Sequence, residues 1–416
     1  MIGTTGRMDS VEVIINARLL DHAGLHTLRL ADAKIVAVEP QPVEAKPAAG
    51  HLDARGGLVL PALVDPHVHL DLAHSVDIVP PNASGTLLEA IGLWSAAKRE
   101  LSADNVRDRA VRAINEEVTY GTGFIRSHVD VASAAGMRLA EGVMQARAQT
   151  RDLCAIQLVA FPQDGLVRDP GAVDLVRQAC REGVDLVGGI PHIERTPRES
   201  QRHLEIVFDL AAELDADIDV HIDETDDPSS FCTEHLASLT IERGWQGRVT
   251  ASHVCALAAY DDVHAAKVID LLHEAQINVV TNPGVNLHLQ GRFDGYPKRR
   301  GLTRVRQLLD RGIACAAGQD CIRDPFYPLG TGQMLDQAFL LAHADHLTTT
   351  PKSLRTALDM VCSMAAKVVG APHHGLTPGC QADLAAFPVE SASELVRRRP
   401  LPIGVLHGGR LIGLSG

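Results

Sequence analysis

His67 and His69 stand one residue apart in PALVDPHVHLD, residues 61–71, at the end of an apolar run. Residues i and i+2 of a strand face the same side, so both imidazoles can meet one ion. H-x-H alone is weak evidence, because solvated or hydrogen-bonded histidines are common at strand ends. Other residues strengthen it: His221 in VHIDETDD and Asp320 in AAGQD also close apolar runs. Three imidazoles and a carboxylate suit one divalent ion such as zinc or ferrous iron, with room left for a water. Glu224, three residues after His221, reads either as a helix-cap carboxylate or as a general acid/base beside the ion, whereas Asp223, Asp226 and Asp227 read as caps or surface charges. His253 ends TASH and could hydrogen-bond a metal-bound hydroxide; His128 in RSHVDV reads as a satisfied core histidine, with the outer shell of the site as the alternative.

These residues need a frame that gathers strand ends. Short apolar runs occupy 62–67, 123–131, 153–163, 185–191, 217–224, 248–253, 277–283 and 313–320. Most are separated by helical patterns such as SADNVRDRAVRAINEEVTYG. Eight continuous apolar strands, mostly followed by helices, are the plan of an α/β (β/α)8 TIM-like barrel covered on both faces. Its chemistry belongs at the C-terminal strand ends, where His67, His69, Gln163, His221, Glu224, His253 and Asp320 all fall. Both chain ends are rich in short alternating strands. Residues 1–60 and 371–416 are therefore expected to build one small β-sandwich domain, and 61–370 the catalytic barrel.

Length and composition agree with a large buried core: 416 residues, 45% hydrophobic and 22% charged. A net charge of -13 argues against a nucleic-acid polymer or an anionic membrane as partner, since both reward clustered Lys and Arg. No apolar run approaches the ~18–20 residues of a membrane span. The eight cysteines are scattered without a C-x-x-C pair, which fits reduced thiols. The opening MIGTTGRMDS lacks the apolar stretch of a secretory signal, so a cytoplasmic location is expected. The fourth run, DLVGGIPH, has no lysine to bridge two metals as a carbamate, which favours a single ion. HIE at 192–194 has no partner P-C-x-x-C, which excludes the cytidine-type zinc deaminases. H-E-x-x-H, G-x-S-x-G and a P-loop are also missing.

In this order, DPHVHLD, VAFPQDG, VHIDETDD, TASH and the Asp of the eighth run resemble the amidohydrolase superfamily. The chain is most similar to its bacterial cytosine deaminase branch, through NPGVNLHLQGRFDGYPKRRGLTRV at 282–305 and DPFYPLGTGQML at 324–335. The similarity spans about residues 55 to 370, with the flanking β unit matching as well. The resemblance implies His67, His69, His221 and Asp320 as ligands of one zinc or iron ion. It implies Glu224 as proton shuttle to a ring nitrogen, with His253 polarising the hydrolytic water and Asp320 taking its proton. Gln163 would hydrogen-bond the ring amide, and Leu87 would line the pocket with its backbone.

Two positions depart from the branch. Cys321 stands where many members have a substrate-holding Asp, and Phe326 where a Trp is frequent. Both are expected to face the substrate, with a small buried hydrophobe as the other reading of Cys321. The implied reaction is attack of a metal-bound hydroxide on an aminated N-heterocycle of the cytosine, 5-methylcytosine or isoguanine type, releasing ammonia. Alternatives are a pterin or creatinine-type deaminase, or hydrolysis of an N-alkylamino heterocycle of the N-isopropylammelide kind. A homo-oligomer is the family expectation.

Overall fold

The computed structural model describes residues 10–413, so the outermost residues of the expected terminal unit, and most of MIGTTGRMDS, lie outside the described residues. Each of the eight apolar runs coincides with a strand to within a residue or contains one: Leu63–Val68, Thr122–Asp130, Ala155–Phe161, Leu186–Gly189, Ile218–Ile222, Val249–His253, Asn278–Thr281 and Cys315–Ala317. They pair in sequence order as one eight-stranded sheet, in parallel register throughout. A parallel bridge between Val68 and Asp320 joins the last strand region to the first. Across it the Asp320 N–H donates to the His67 carbonyl at 2.6 Å, and the His69 N–H to the Asp320 carbonyl at 2.8 Å. The molecule is a TIM-like (β/α)8 barrel.

Helices cover the outside of the sheet. Ala103–Thr119 is started by Ser102, whose hydroxyl accepts the Asn105 N–H, and it buries Val106, Ala110, Ala113, Ile114 and Val118. The helix Ser363–Val369 closes the barrel floor: Ala365, Ala366, Val368 and Val369 pack on Val64, Val280 and Ala316. Strand interiors alternate as a barrel requires. On Ile218–Ile222, the residues Ile218, Val220 and Ile222 join the core shared with the helices, leaving Asp219 and His221 for the interior.

Two four-stranded sheets come from the chain ends. One holds Val13–Ala17, Leu25–Ala31, Lys34–Gln41 and His51–Asp53; the other holds Leu58–Pro61, Leu384–Phe387, Gly404–His407 and Arg410–Leu411. Ile14, Leu28, Val59, Leu384 and Leu406 share a second apolar core between them. The strand Leu58–Pro61 runs straight into the first barrel strand, which fixes the sheet unit to the barrel. Among the described residues no helix is long and apolar enough to cross a membrane, and all eight cysteines are free thiols.

Candidate metal centre and active site

His67, His69, His221 and Asp320 converge at the C-terminal strand ends, each offering one ligand atom within 4.8 Å of the others. Asp320 Oδ1 lies 3.5 Å from His67 Nε2 and 3.4 Å from His69 Nε2. His69 Nε2 and His221 Nε2 are 3.0 Å apart. All four side chains are buried, and His67 Nε2 has no hydrogen-bond partner. Burial holds His67 and His69 down to about 3, and holds His221 well below the usual histidine range with the neighbouring imidazoles adding to it. Neutral imidazoles aimed at one point beside a carboxylate are the donor set of a divalent cation, so these residues fit the ion.

The layer beneath orients the set. His67 Nδ1 lies 3.0 Å from Ser252 Oγ, and Ser252 spends its single hydroxyl proton on Asp219 Oδ1 at 2.9 Å. Ser252 therefore accepts from His67, the ring proton sits on Nδ1, and the Nε2 lone pair faces the centre. Asp219 Oδ2 in turn accepts from Arg126 at 2.9 Å, and Arg126 also donates to Gln157 and to the Val369 carbonyl. Asp65 fastens the seam between the first and last strands, with Oδ1 accepting the N–H of His67 at 3.1 Å and of Gln319 at 3.0 Å. Burial, opposed by these two donors and reinforced by Asp320, pushes the Asp65 carboxyl up to about 8.

Gly318 is required at this seam, since a Cβ there would lie 2.5 Å from Asn282 Oδ1 and 2.8 Å from His67 Cβ. The eighth strand accordingly stops at Ala317, short of the expected run to 320. Asp320 is swung inward by a left-handed φ of 65°.

His253 reaches the centre by a comparable device. Thr250 and Ser252 face the barrel interior, so strict alternation would turn His253 outward. Left-handed φ values of 74° at His253 and 52° at Val254 turn the ring back, to 3.6 Å from Glu224 and 3.9 Å from Asp320 Oδ2. Asn286 Oδ1 accepts the Asn282 N–H at 3.2 Å, which leaves the Asn286 amide nitrogen to face His253 Nδ1 at 3.0 Å. The Asn282 amide nitrogen also lies 3.3 Å from both His253 ring nitrogens, and Nε2 is the one toward Asp320.

Glu224, Gln163, Leu87, Cys321 and Phe326 line one narrow chamber with His69, Phe161, Ile190, His221 and Asp320. Burial, with the Asp320 charge added, pushes the Glu224 carboxyl well above the usual range. Glu224 is not a helix cap. Asp223 takes that part, accepting the N–H groups of Cys232 and Thr233 and the hydroxyls of Ser230 and Thr233. Gln163 lies two residues past its strand, and Leu87 is the first residue of the helix Leu87–Ala97. Cys321 Sγ sits 3.8 Å from Asp320 Oδ1, and burial pushes its thiol up.

The structure corrects the reading of His128 as a satisfied core histidine. It is buried, its ring 4.0 Å from that of His67, but neither ring nitrogen has a hydrogen-bond partner. The strand carries its ring inward beside the metal set, with Asp219 Oδ1 3.6 Å from Nε2, beyond hydrogen-bond length. Asn286, Asp65 and the Ser252–Asp219–Arg126 chain, which hydrogen-bond the candidate site residues, are not legible in the sequence. The one signal for Asn286 was the 282–305 segment, quoted without a role for its residues.

A match to the model of the Amidohydrolase family covers residues 51–412, most of the chain. The chain belongs to the amidohydrolase family. This amidohydrolase is 32% identical over 370 residues to the pterin deaminase of Rhizobium rhizogenes, covering 87% of this chain and 82% of that protein. It is 28% identical over 405 residues to the N-isopropylammelide isopropyl amidohydrolase of Pseudomonas sp. strain ADP, covering 96% of each. Among solved structures it is similar to 5-methylcytosine deaminase from Klebsiella pneumoniae liganded with 5-fluorocytosine. There the TM-score is 0.93 at 36% identity, over 97% of this chain and 98% of that one. The chain is a hydrolase acting on C–N bonds, as its relatives are.

Proposed function

We propose that this amidohydrolase is a metal-dependent deaminase of a single aminated ring of the 5-methylcytosine and cytosine class, releasing ammonia. The observation that carries this reading is the likeness to 5-methylcytosine deaminase over nearly the whole of both chains. The lining of the chamber supports it: Gln163 and Glu224 offer polar groups, and Phe161 and Phe326 apolar faces, beside the metal set.

His67, His69, His221 and Asp320 would hold the zinc or ferrous ion. When bound, such an ion supplies a nucleophile at neutral pH by lowering the pKa of water from ~15.7 toward ~7. Around it the chain's own groups divide the work. Asp320 takes the proton of the attacking water, and His253 orients the oxygen by a hydrogen bond. Glu224 gives its proton to the ring nitrogen beside the amino-bearing carbon; the proton on Asp320 then passes to the leaving amine while Glu224 takes back the hydroxyl proton of the adduct. Gln163 hydrogen-bonds the ring amide, while Leu87, Phe161 and Phe326 cover its faces and Cys321 fills the space beside Asp320. Water adds to the carbon, the C–N bond breaks, and a ring carbonyl and ammonia result.

The test is an ammonia-release screen of protein with measured metal content on 5-methylcytosine, cytosine, isoguanine, creatinine, pterin and an N-alkylamino triazine. Turnover of 5-methylcytosine or cytosine above the rest is the expected outcome. The sequence identity to a pterin deaminase favours a second reading, in which the bicyclic ring is the substrate. Ammonia from pterin alone would replace the first reading with it, and release of an alkylamine in place of ammonia would contradict both.

A further inference from the structure

Gln163 is held from two sides by carboxylates that never touch the chamber. On one side the next residue, Asp164, accepts from Lys98 Nζ at 2.8 Å and from Ser95 Oγ at 2.7 Å. Lys98 is fully buried, and its ammonium also meets the buried Asp130 Oδ2 at 2.7 Å, which accepts the Trp94 indole N–H as well. Ser95, Trp94 and Lys98 all belong to the end of the helix that begins at Leu87. On the other side Glu194 accepts the N–H groups of Leu166 and Val167 at 2.9 Å and of Arg168 at 3.0 Å, and pairs with His203 Nδ1 at 2.8 Å. A Cβ on Gly165, whose φ is +92°, would come 2.7 Å from Glu194 Oε1, so the loop lies directly on that carboxylate.

Buried ion groups contribute little net stability compared with apolar packing of the same volume. What they supply is fixed geometry. We propose that Lys98, acting through Asp164, is a positioning residue that locks the Gln163 loop to the Leu87 helix, making one rigid wall of the substrate chamber. The inference deepens the proposed function and rests on its assignment of Gln163 to the ring amide. Lys98 and Asp164 are not catalytic residues, since neither lines the chamber.

Asp164→Ala is the cleaner variant, because it leaves Lys98 paired one to one with Asp130, whereas Lys98→Met strands two carboxylates together. The first readout is amide hydrogen exchange, which needs no substrate. Residues 163–165 should exchange about tenfold faster in Asp164→Ala, with the barrel strands unchanged. Unchanged exchange there would overturn the tether, whatever the substrate proves to be.

The second readout is kinetic, with 5-methylcytosine. Asp164→Ala should raise KM about tenfold with kcat within about twofold and metal content unaltered, the cost of one misplaced hydrogen bond. In a Gln163→Ala background the same substitution should add nothing further. Equal effects in both backgrounds would show that the loop serves some other group, and would overturn the inference while Gln163 keeps its role. A Gln163→Ala variant with wild-type KM would instead remove Gln163 from the substrate, failing the functional assignment and the positioning claim built on it.

Discussion

Two polar clusters share the barrel interior, meeting on the strand Ile218–Ile222 that carries Asp219 and His221, and they are wired in opposite ways. In the lower one, Arg126 donates to Gln157 at 2.8 Å and to Asp219 at 2.9 Å, and Ser252 donates to Asp219 at 2.9 Å. In the upper one, His67, His69, His221 and Asp320 point at a common centre, with imidazole nitrogens facing each other and His67 Nε2 without a partner. Buried polar groups are normally paired, and an unpaired set costs free energy unless something completes it. In the proposed reading, the paired layer is the support and the unpaired layer is the site. Ser252 joins them, because its one proton goes down to Asp219 and so commits His67 to present a bare nitrogen upward.

That contrast can be broken most severely at the upper layer. His67→Ala should lose the ion and all measurable ammonia release; elemental analysis showing unaltered metal content would remove His67 from the ligand set. Glu224→Gln should keep the metal and lower kcat by ~10²–10⁴, the usual worth of a general acid/base. Wild-type turnover in that variant would assign the proton transfer elsewhere.

At the lower layer the damage should be to stability. Asp219→Asn leaves the Arg126 guanidinium buried against no carboxylate and should cost ~3–5 kcal/mol, read as a fall in thermal midpoint with metal stoichiometry kept in the folded protein. A variant with normal stability but no metal would reverse the division between the layers. Ser252→Ala should have the mildest effect, about 10–100-fold weaker metal affinity by chelator competition, because only the orientation of His67 is lost. Unchanged affinity would mean that packing alone holds the ring.

The upper layer was largely legible in the sequence and the lower one was not, for a physical reason. His67, His69, His221, Glu224 and Asp320 sit at the ends of apolar runs, where chain order alone brings parallel strands to one mouth. The lower layer depends on which interior positions of non-adjacent strands share a height. Arg126 meets Asp219 across 93 residues of chain, and His67 meets Ser252 across 185, through registers that no local pattern encodes. His253 shows the limit from the other direction. It was picked as a strand-end histidine, yet the two-residue period alone would aim it outward, and only the left-handed turn at His253 and Val254 brings it in. The same register problem hid the unpaired state of His128, which was read as satisfied. Gln163 is legible as a strand-end residue, its role and Leu87 come only from resemblance, and the Lys98–Asp130–Asp164 group that braces them gives no signal in one dimension.

The most direct measurement is anomalous diffraction at the zinc and iron edges from crystals of the protein as purified. The account predicts one divalent ion per barrel, about 2.0–2.2 Å from an imidazole nitrogen of each of His67, His69 and His221 and from an Asp320 oxygen. An ion bound elsewhere, or full ammonia-releasing activity from crystals and solution devoid of metal at that point, would contradict it.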